Sequence, residues 1–180
     1  FNMSNIDILL NMGYKVDVAC NFGFGSTCSD EKITELKSKL KEKGVECYQV
    51  DFTRNVMNLI QDDKAYRQVR KLVENNRYDL IHCHSPIGGV IGRIVAHETG
   101  IKVIYTAHGF HFYTGGPKKN WMIYYPIEKL LSRWTDVLIT INKEDYGRAK
   151  QKFHAKETKY IPGVGVNIDR FELGQEEREQ

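Results

Sequence analysis

DLIHCHSPIGGVIGRIVAHETGIKVIYTA, residues 79–107, decides the architecture. It opens on a short apolar run, passes through Ser85 and Pro86 into a stretch with apolar residues at helical spacing (Ile87, Ile91, Val95), and reaches Gly100 before a second β-branched run, KVIYTA at 102–107. Strand, helix and strand in such quick succession form a βαβ unit, whose two strands lie parallel because the helix carries the chain back to the starting edge. The same alternation extends both ways. KVDVAC (15–20), VECYQV (45–50), DVLITI (136–141) and TKYIP (158–162) read as strands. The intervals 2–13, 30–43, 62–76, 87–99, 120–134 and 143–153 read as amphipathic helices, several with Ser, Asp or Asn before them or Gly after them. Runs such as VLITI are apolar on both faces, as strands covered by helices on both sides must be. The expectation is an α/β domain with a doubly wound, mostly parallel sheet. Ligands in such sheets bind beyond the carboxyl ends of the strands.

The chain has 180 residues and 41% hydrophobic content, enough for one core. A formal charge of +3 is too small to argue for nucleic acid as a partner. Cys20, Cys28, Cys47 and Cys83 show no short paired spacing, which fits reduced thiols and a cytoplasmic setting. No apolar run approaches the roughly 20 residues that cross a bilayer. Phe1 stands where a helix is already under way, and RFELGQEEREQ (170–180) turns abruptly to charge, so the sequence reads as a piece of a longer polypeptide.

Candidate site residues follow from the strand-end rule. Ser85, Pro86, Gly88 and Gly89 fall at a strand-to-helix turn whose unpaired backbone N–H groups suit an anion. The alternative is that Gly88, Gly89 and Gly92 serve close helix-to-sheet packing. TAHGFHFYTGGPKKNW (106–121) gathers His108, Gly109, Phe110, His111, Lys118 and Lys119 after the next strand. His108 is placed to hydrogen-bond a phosphate or a sugar hydroxyl, while His111 fits either a ligand or a backbone carbonyl. His82 and His84 share one face of their strand, and an H-x-H pair begins a metal site, yet no third ligand can be assigned. His84 is the better placed to touch a ligand, His82 being expected buried and hydrogen-bonded. The segment 118–134 mixes Trp121, Met122, Tyr124, Tyr125, Ile127, Leu130, Leu131 and Trp134 with Lys118, Lys119, Lys129 and Arg133, which suits either a membrane interface or ordinary packing on the sheet. Pro126 is expected near that helix's start or at a kink. Pro162, Gly163 and Gly165 suit a hinge or a simple turn.

Four segments in order, DLIHCHSPIGG, TAHGFHFYTGGPKKNWMIYYPIEK, DVLITINKEDY and YIPGVGVNIDRF, resemble the retaining family-four glycosyltransferases of GT-B fold, particularly those of bacterial capsule and exopolysaccharide assembly. The last is similar to that family's P-N-G-V-D hinge signature, with Gly163 in place of Asn and Asn167 following Val166. The resemblance implies that residues 1–161 form the Rossmann-like, acceptor-side N-terminal half of a GT-B enzyme and that 162–180 begin the hinge to a donor-binding domain. It implies a nucleotide sugar and a sugar or lipid-linked sugar acceptor as substrates, peripheral membrane contact through 118–134 at the inner face of the plasma membrane, no cofactor and no metal. His108 would stand close to the transferred sugar, with the Ser85–Gly89 loop facing the same cleft. The family's first strand, which lies mid-sheet, and its paired-glutamate donor motif have no counterpart here, so this piece alone is expected to be inactive. Two other readings stay open: a non-catalytic Rossmann-like module binding a nucleotide or sugar phosphate, and a metal hydrolase built on His82, His84 and His108.

Overall fold

The computed structural model of the protein describes residues 3–23, 28–53 and 59–163. Helices and strands alternate: α1 (Met3–Asn11), β1 (Asp17–Cys20), α2 (Asp30–Glu42), β2 (Glu46–Gln49), α3 (Leu59–Asn75), β3 (Leu80–His84), α4 (Pro86–Thr99), β4 (Lys102–Ala107), α5 (Lys118–Leu131), a 3-10 turn (Ser132–Trp134), β5 (Val137–Thr140), α6 (Lys143–Lys152) and β6 (Glu157–Tyr160). Local chemistry sets several boundaries. Ser29 accepts from the Lys32 amide to cap α2, whose first turn is acidic and last turn basic, matching the helix dipole. Asn142 caps α6 by accepting from the Asp145 amide at 2.8 Å. Pro86 starts α4, and Gly100, at φ 73°, ends it in the left-handed conformation.

All strand pairs are parallel, as the alternation predicts, but the sheet is in two pieces: β1 beside β2, and β3-β4-β5-β6 in that order. The division falls between β1 and β3. The pieces are joined there by the Tyr78 hydroxyl, which donates to Asp17 Oδ2 at 2.6 Å. They also share an apolar cluster of Val50, Val69, Ile87, Ile91 and Val95, against which Ala19 and Ile81 pack from either side. Asp17 Oδ1 is buried without a hydrogen-bond partner. A second cluster, centred on Val103, Tyr105, Phe112, Leu138 and Phe153, lies under α5 and α6.

Gly89 is fixed by packing. A Cβ there would lie 2.4 Å from Cε2 of Tyr105, a ring that is 3% exposed and tied by its hydroxyl. Gly92 meets the Cβ of Cys83 at 2.9 Å in the same way. Alanine normally improves a helix interior over glycine by ~0.5–1 kcal/mol, but the overlap outweighs that. Gly89→Ala is expected to lower the unfolding free energy by ~1–3 kcal/mol in a urea titration. Gly88→Ala, which meets only the Ser85 hydroxyl at 3.1 Å, should cost less.

Two alternatives left open for α5 are narrowed. Pro126 sits well inside α5 rather than at its start; its missing N–H leaves the Met122 carbonyl without a helix donor. The aromatic residues of α5 do not form its outer face. Trp121, Tyr124 and Tyr125 pack inward against the second cluster, and Met122 (78% exposed), Ile127 and Leu130 (50%) are left outside.

Candidate functional site

A cavity of about 210 Å³ opens where β3 and β4 end. Ser85 and Pro86 form one wall and His108, Gly109 and Phe110 another. His111, Phe112 and Tyr124 close the side toward α5, and Tyr105 and Glu128 lie along it as well. Two backbone features make this shape. Ser85 holds φ 64°, a conformation that costs a non-glycine residue energy and that turns the chain sharply from β3 into α4. Gly109 adopts φ 137° with open space around its missing Cβ, so glycine is needed for backbone conformation rather than for room.

The loop after β4 is held from behind by α6. Asp145, buried, accepts from the Phe110 amide at 2.9 Å, and Glu144 accepts from the amide and hydroxyl of Thr114. Arg148 donates to the Phe112 carbonyl at 3.1 Å and lies over the Trp121 ring. The Thr114 amide, then Arg148, hold the Glu144 carboxyl down to about 2. Phe112 is wholly buried and stacked on Phe110, so much of this aromatic segment is core. Sequence reading missed these anchors, although an acidic first turn behind an Asn cap in INKEDYGR (141–148) is the kind of signal that could have found them.

Three imidazoles cluster here, and His108 is the one of them that lines the cavity. His82 and His84 share a face, with ring centroids 4.3 Å apart, and His84 Nδ1 lies 3.2 Å from His108 Nε2, so one ring donates to the other. His82 is hydrogen-bonded to the Thr106 hydroxyl at 2.9 Å, but it keeps an exposed edge rather than being buried. Among the described residues no three His, Cys, Asp or Glu side chains are arranged to hold a metal ion. His111 stacks on Tyr124 at 4.5 Å. Gly88, Gly89, Lys118 and Lys119 do not line the cavity; both lysines are exposed at the start of α5. Pro162 and Gly163 follow β6 with Gly163 at φ 73°, and Gly165 lies outside the described residues.

Desolvation lowers the His84 imidazole to about 4, helped by its two neighbouring rings, and partial desolvation also lowers His82 and His108, each still exposed along part of its ring. The rings are neutral near pH 7. A depressed histidine binds its proton more readily in the unfolded chain, so stability is unaffected well above pH 6.5 and falls as pH drops from there toward 4. The unfolding free energy from urea titrations should therefore decline between pH 7 and 4.5. His84→Asn should flatten that decline; an unchanged slope would mean that the cluster is not its source.

Comparison with known proteins gives the family and the fold. Residues 2–142 match the family described as glycosyl transferase 4-like. EpsD of Bacillus subtilis (strain 168), provisionally named a glycosyltransferase, is 52% identical over 115 residues, which are 62% of this chain and 30% of EpsD. The UDP-Gal:alpha-D-GlcNAc-diphosphoundecaprenol alpha-1,3-galactosyltransferase of Escherichia coli is 32% identical over 121 residues, 66% of this chain and 31% of the enzyme. The chain thus spans about 30% of the length of these curated relatives. The fold is shared with MurG of Acinetobacter baumannii (TM-score 0.54, 16% identity, 90% of this chain and 40% of MurG) and with the calicheamicin glycosyltransferase CalG4 (TM-score 0.55, 10% identity, 92% and 49%).

Proposed function

This chain belongs to the glycosyl transferase 4-like family, and we propose that it is the acceptor-side Rossmann-like domain of a retaining hexosyltransferase. The intact protein moves a sugar from a nucleotide sugar to a glycan or polyprenyl-diphosphate-linked sugar during bacterial cell-surface polysaccharide synthesis. The observation that carries this reading is the cavity at the carboxyl ends of β3 and β4, with the neutral imidazole of His108 on its rim and aromatic walls behind. A ring nitrogen of a neutral imidazole can donate to or accept from a sugar hydroxyl, according to its tautomer. Ser85 and Pro86 bring the start of α4 to the same cavity, and a helix start suits the phosphate of a lipid-linked or nucleotide-linked sugar. The nucleotide is held by a second domain, reached through the Pro162–Gly163 hinge, and the gap between β1 and β3 is the seat of a further strand of the intact domain.

The test is transfer of label from a panel of UDP-sugars to a polyprenyl-diphosphate-sugar extract by the full-length protein. Transfer from one donor is the expected result; none with any donor or extract would contradict the reading.

Membrane contact belongs to the same proposal. The acceptor is lipid-linked in one relative by name, and Lys119, Met122, Pro126, Leu130 and Arg133 form an exposed stripe along α5 and the 3-10 turn that follows it, apolar at its centre and basic at its ends. Such a stripe suits the headgroup layer of the inner leaflet. Among the described residues no helix is long and apolar enough to cross a membrane. Replacing Met122 and Leu130 together by serine should weaken co-sedimentation with anionic liposomes roughly tenfold or more. Trp121→Ala should act instead through stability, because that ring faces the core.

A further inference from the structure

Behind the cavity lies a charged pair shut away from solvent. Arg93, on α4, is fully buried; its Nη1 donates to Glu128 Oε2 at 2.8 Å and its Nε to the Gly89 carbonyl at 2.7 Å. The guanidinium stacks over the Tyr105 ring at 4.1 Å, and its Nη2 is buried with no hydrogen-bond partner. Burying such a pair seldom adds net stability over well-packed apolar residues, and an unmatched donor makes it worse. The arrangement calls for another explanation, and its position supplies one. Glu128 and Tyr105 line the cavity, and Glu128 is the only carboxylate among the residues that do.

A carboxylate offers about four acceptor positions. Here Arg93 takes one at full strength, and the Tyr105 hydroxyl takes another at 3.3 Å, well beyond the usual length for such a bond. Oε1 is therefore the loosely held oxygen. An incoming hydroxyl would complete its shell, whereas an incoming carboxylate would bring lone pairs against lone pairs with no donor between them. Arg93 keeps the charge in place and fixes the rotamer, since Glu128 is gripped from behind.

We infer that Glu128 is a specificity-determining residue of this cavity, accepting a hydrogen bond from a ring hydroxyl of a neutral hexose acceptor and turning away a hexuronic acid. The inference rests on the reading that the cavity takes the acceptor, and it adds the class of sugar that fits.

The experiment measures transfer by the full-length protein to the polyprenyl-linked acceptor, with free hexoses (glucose, galactose, N-acetylglucosamine) and hexuronic acids (glucuronic, galacturonic) as competitors. In the wild type, neutral sugars should inhibit and the acids should not. Glu128→Gln should raise the acceptor KM about 10- to 100-fold, the worth of a hydrogen bond to a charged group, leave the nucleotide-sugar KM unchanged and narrow the gap between the two competitor classes. If Glu128→Gln fails to fold, Glu128→Asp keeps a charge for Arg93 while withdrawing the carboxylate by one methylene, and the same rise in KM is expected. An acceptor KM within twofold of wild type in the folded variant, while His108→Ala still cripples transfer, would overturn the role of Glu128 and leave the acceptor reading standing. If His108→Ala leaves transfer intact as well, both fall together.

Discussion

Replacing His108 by alanine in the full-length protein is expected to lower kcat/KM for sugar transfer by at least about 100-fold while leaving the fold in place. The side chain is exposed at the end of β4 and contributes no buried apolar area, so its loss should shift stability by no more than ~1 kcal/mol. Its Nε2 meets His84 at the cavity mouth, which fixes the ring's orientation toward the space where a sugar would lie. His84→Asn keeps a hydrogen-bonding group beside His108 and should cost far less activity than removing His108 itself. Equal losses in the two variants would mean that the cluster acts by holding the mouth open and not through His108.

Arg93→Met is expected to produce the largest loss of stability, ~3–5 kcal/mol, because it strands the Glu128 carboxylate in the interior without its partner. Against a total stability of about 5–15 kcal/mol for an ordinary domain, that leaves little margin. The double variant Arg93→Met/Glu128→Leu removes both charges and should recover most of the loss in a denaturant titration, a coupling that single-site packing defects would not show. The same double variant should still fail to discriminate neutral from acidic acceptors. Stability and specificity are thus separable at this pair.

The elements were legible in the sequence because their signals are local. Residues 102–107 read as a strand and are β4, and 143–153 read as a helix and contain α6, since periods of two and of 3.6 need only neighbours in the chain. His108 and Ser85 were found by the rule that ligands meet the carboxyl ends of parallel strands, and both line the cavity. The pairing of Arg93 with Glu128, 35 residues apart, has no local signature; it exists only because α4 and α5 cross over Tyr105. For the same reason the direction of the α5 aromatics could not be read from composition. A helix rich in Trp, Tyr and Lys serves a lipid surface or a sheet equally well until the core decides, and Phe112 and Phe153 draw Trp121 and Tyr125 inward. His82 was expected inside, but its ring is exposed where it meets the Thr106 hydroxyl of β4, a placement that depends on a neighbouring strand and not on its own segment.

The most direct test of the central claim, that the cavity at the ends of β3 and β4 holds the sugar acceptor, is photolabelling of the full-length protein with a diazirine-bearing polyprenyl-diphosphate-sugar, followed by peptide mapping. The account predicts cross-links within His108–Phe112 or at Tyr124, suppressed by unlabelled acceptor. Suppressible cross-links confined to residues away from this cavity would contradict it.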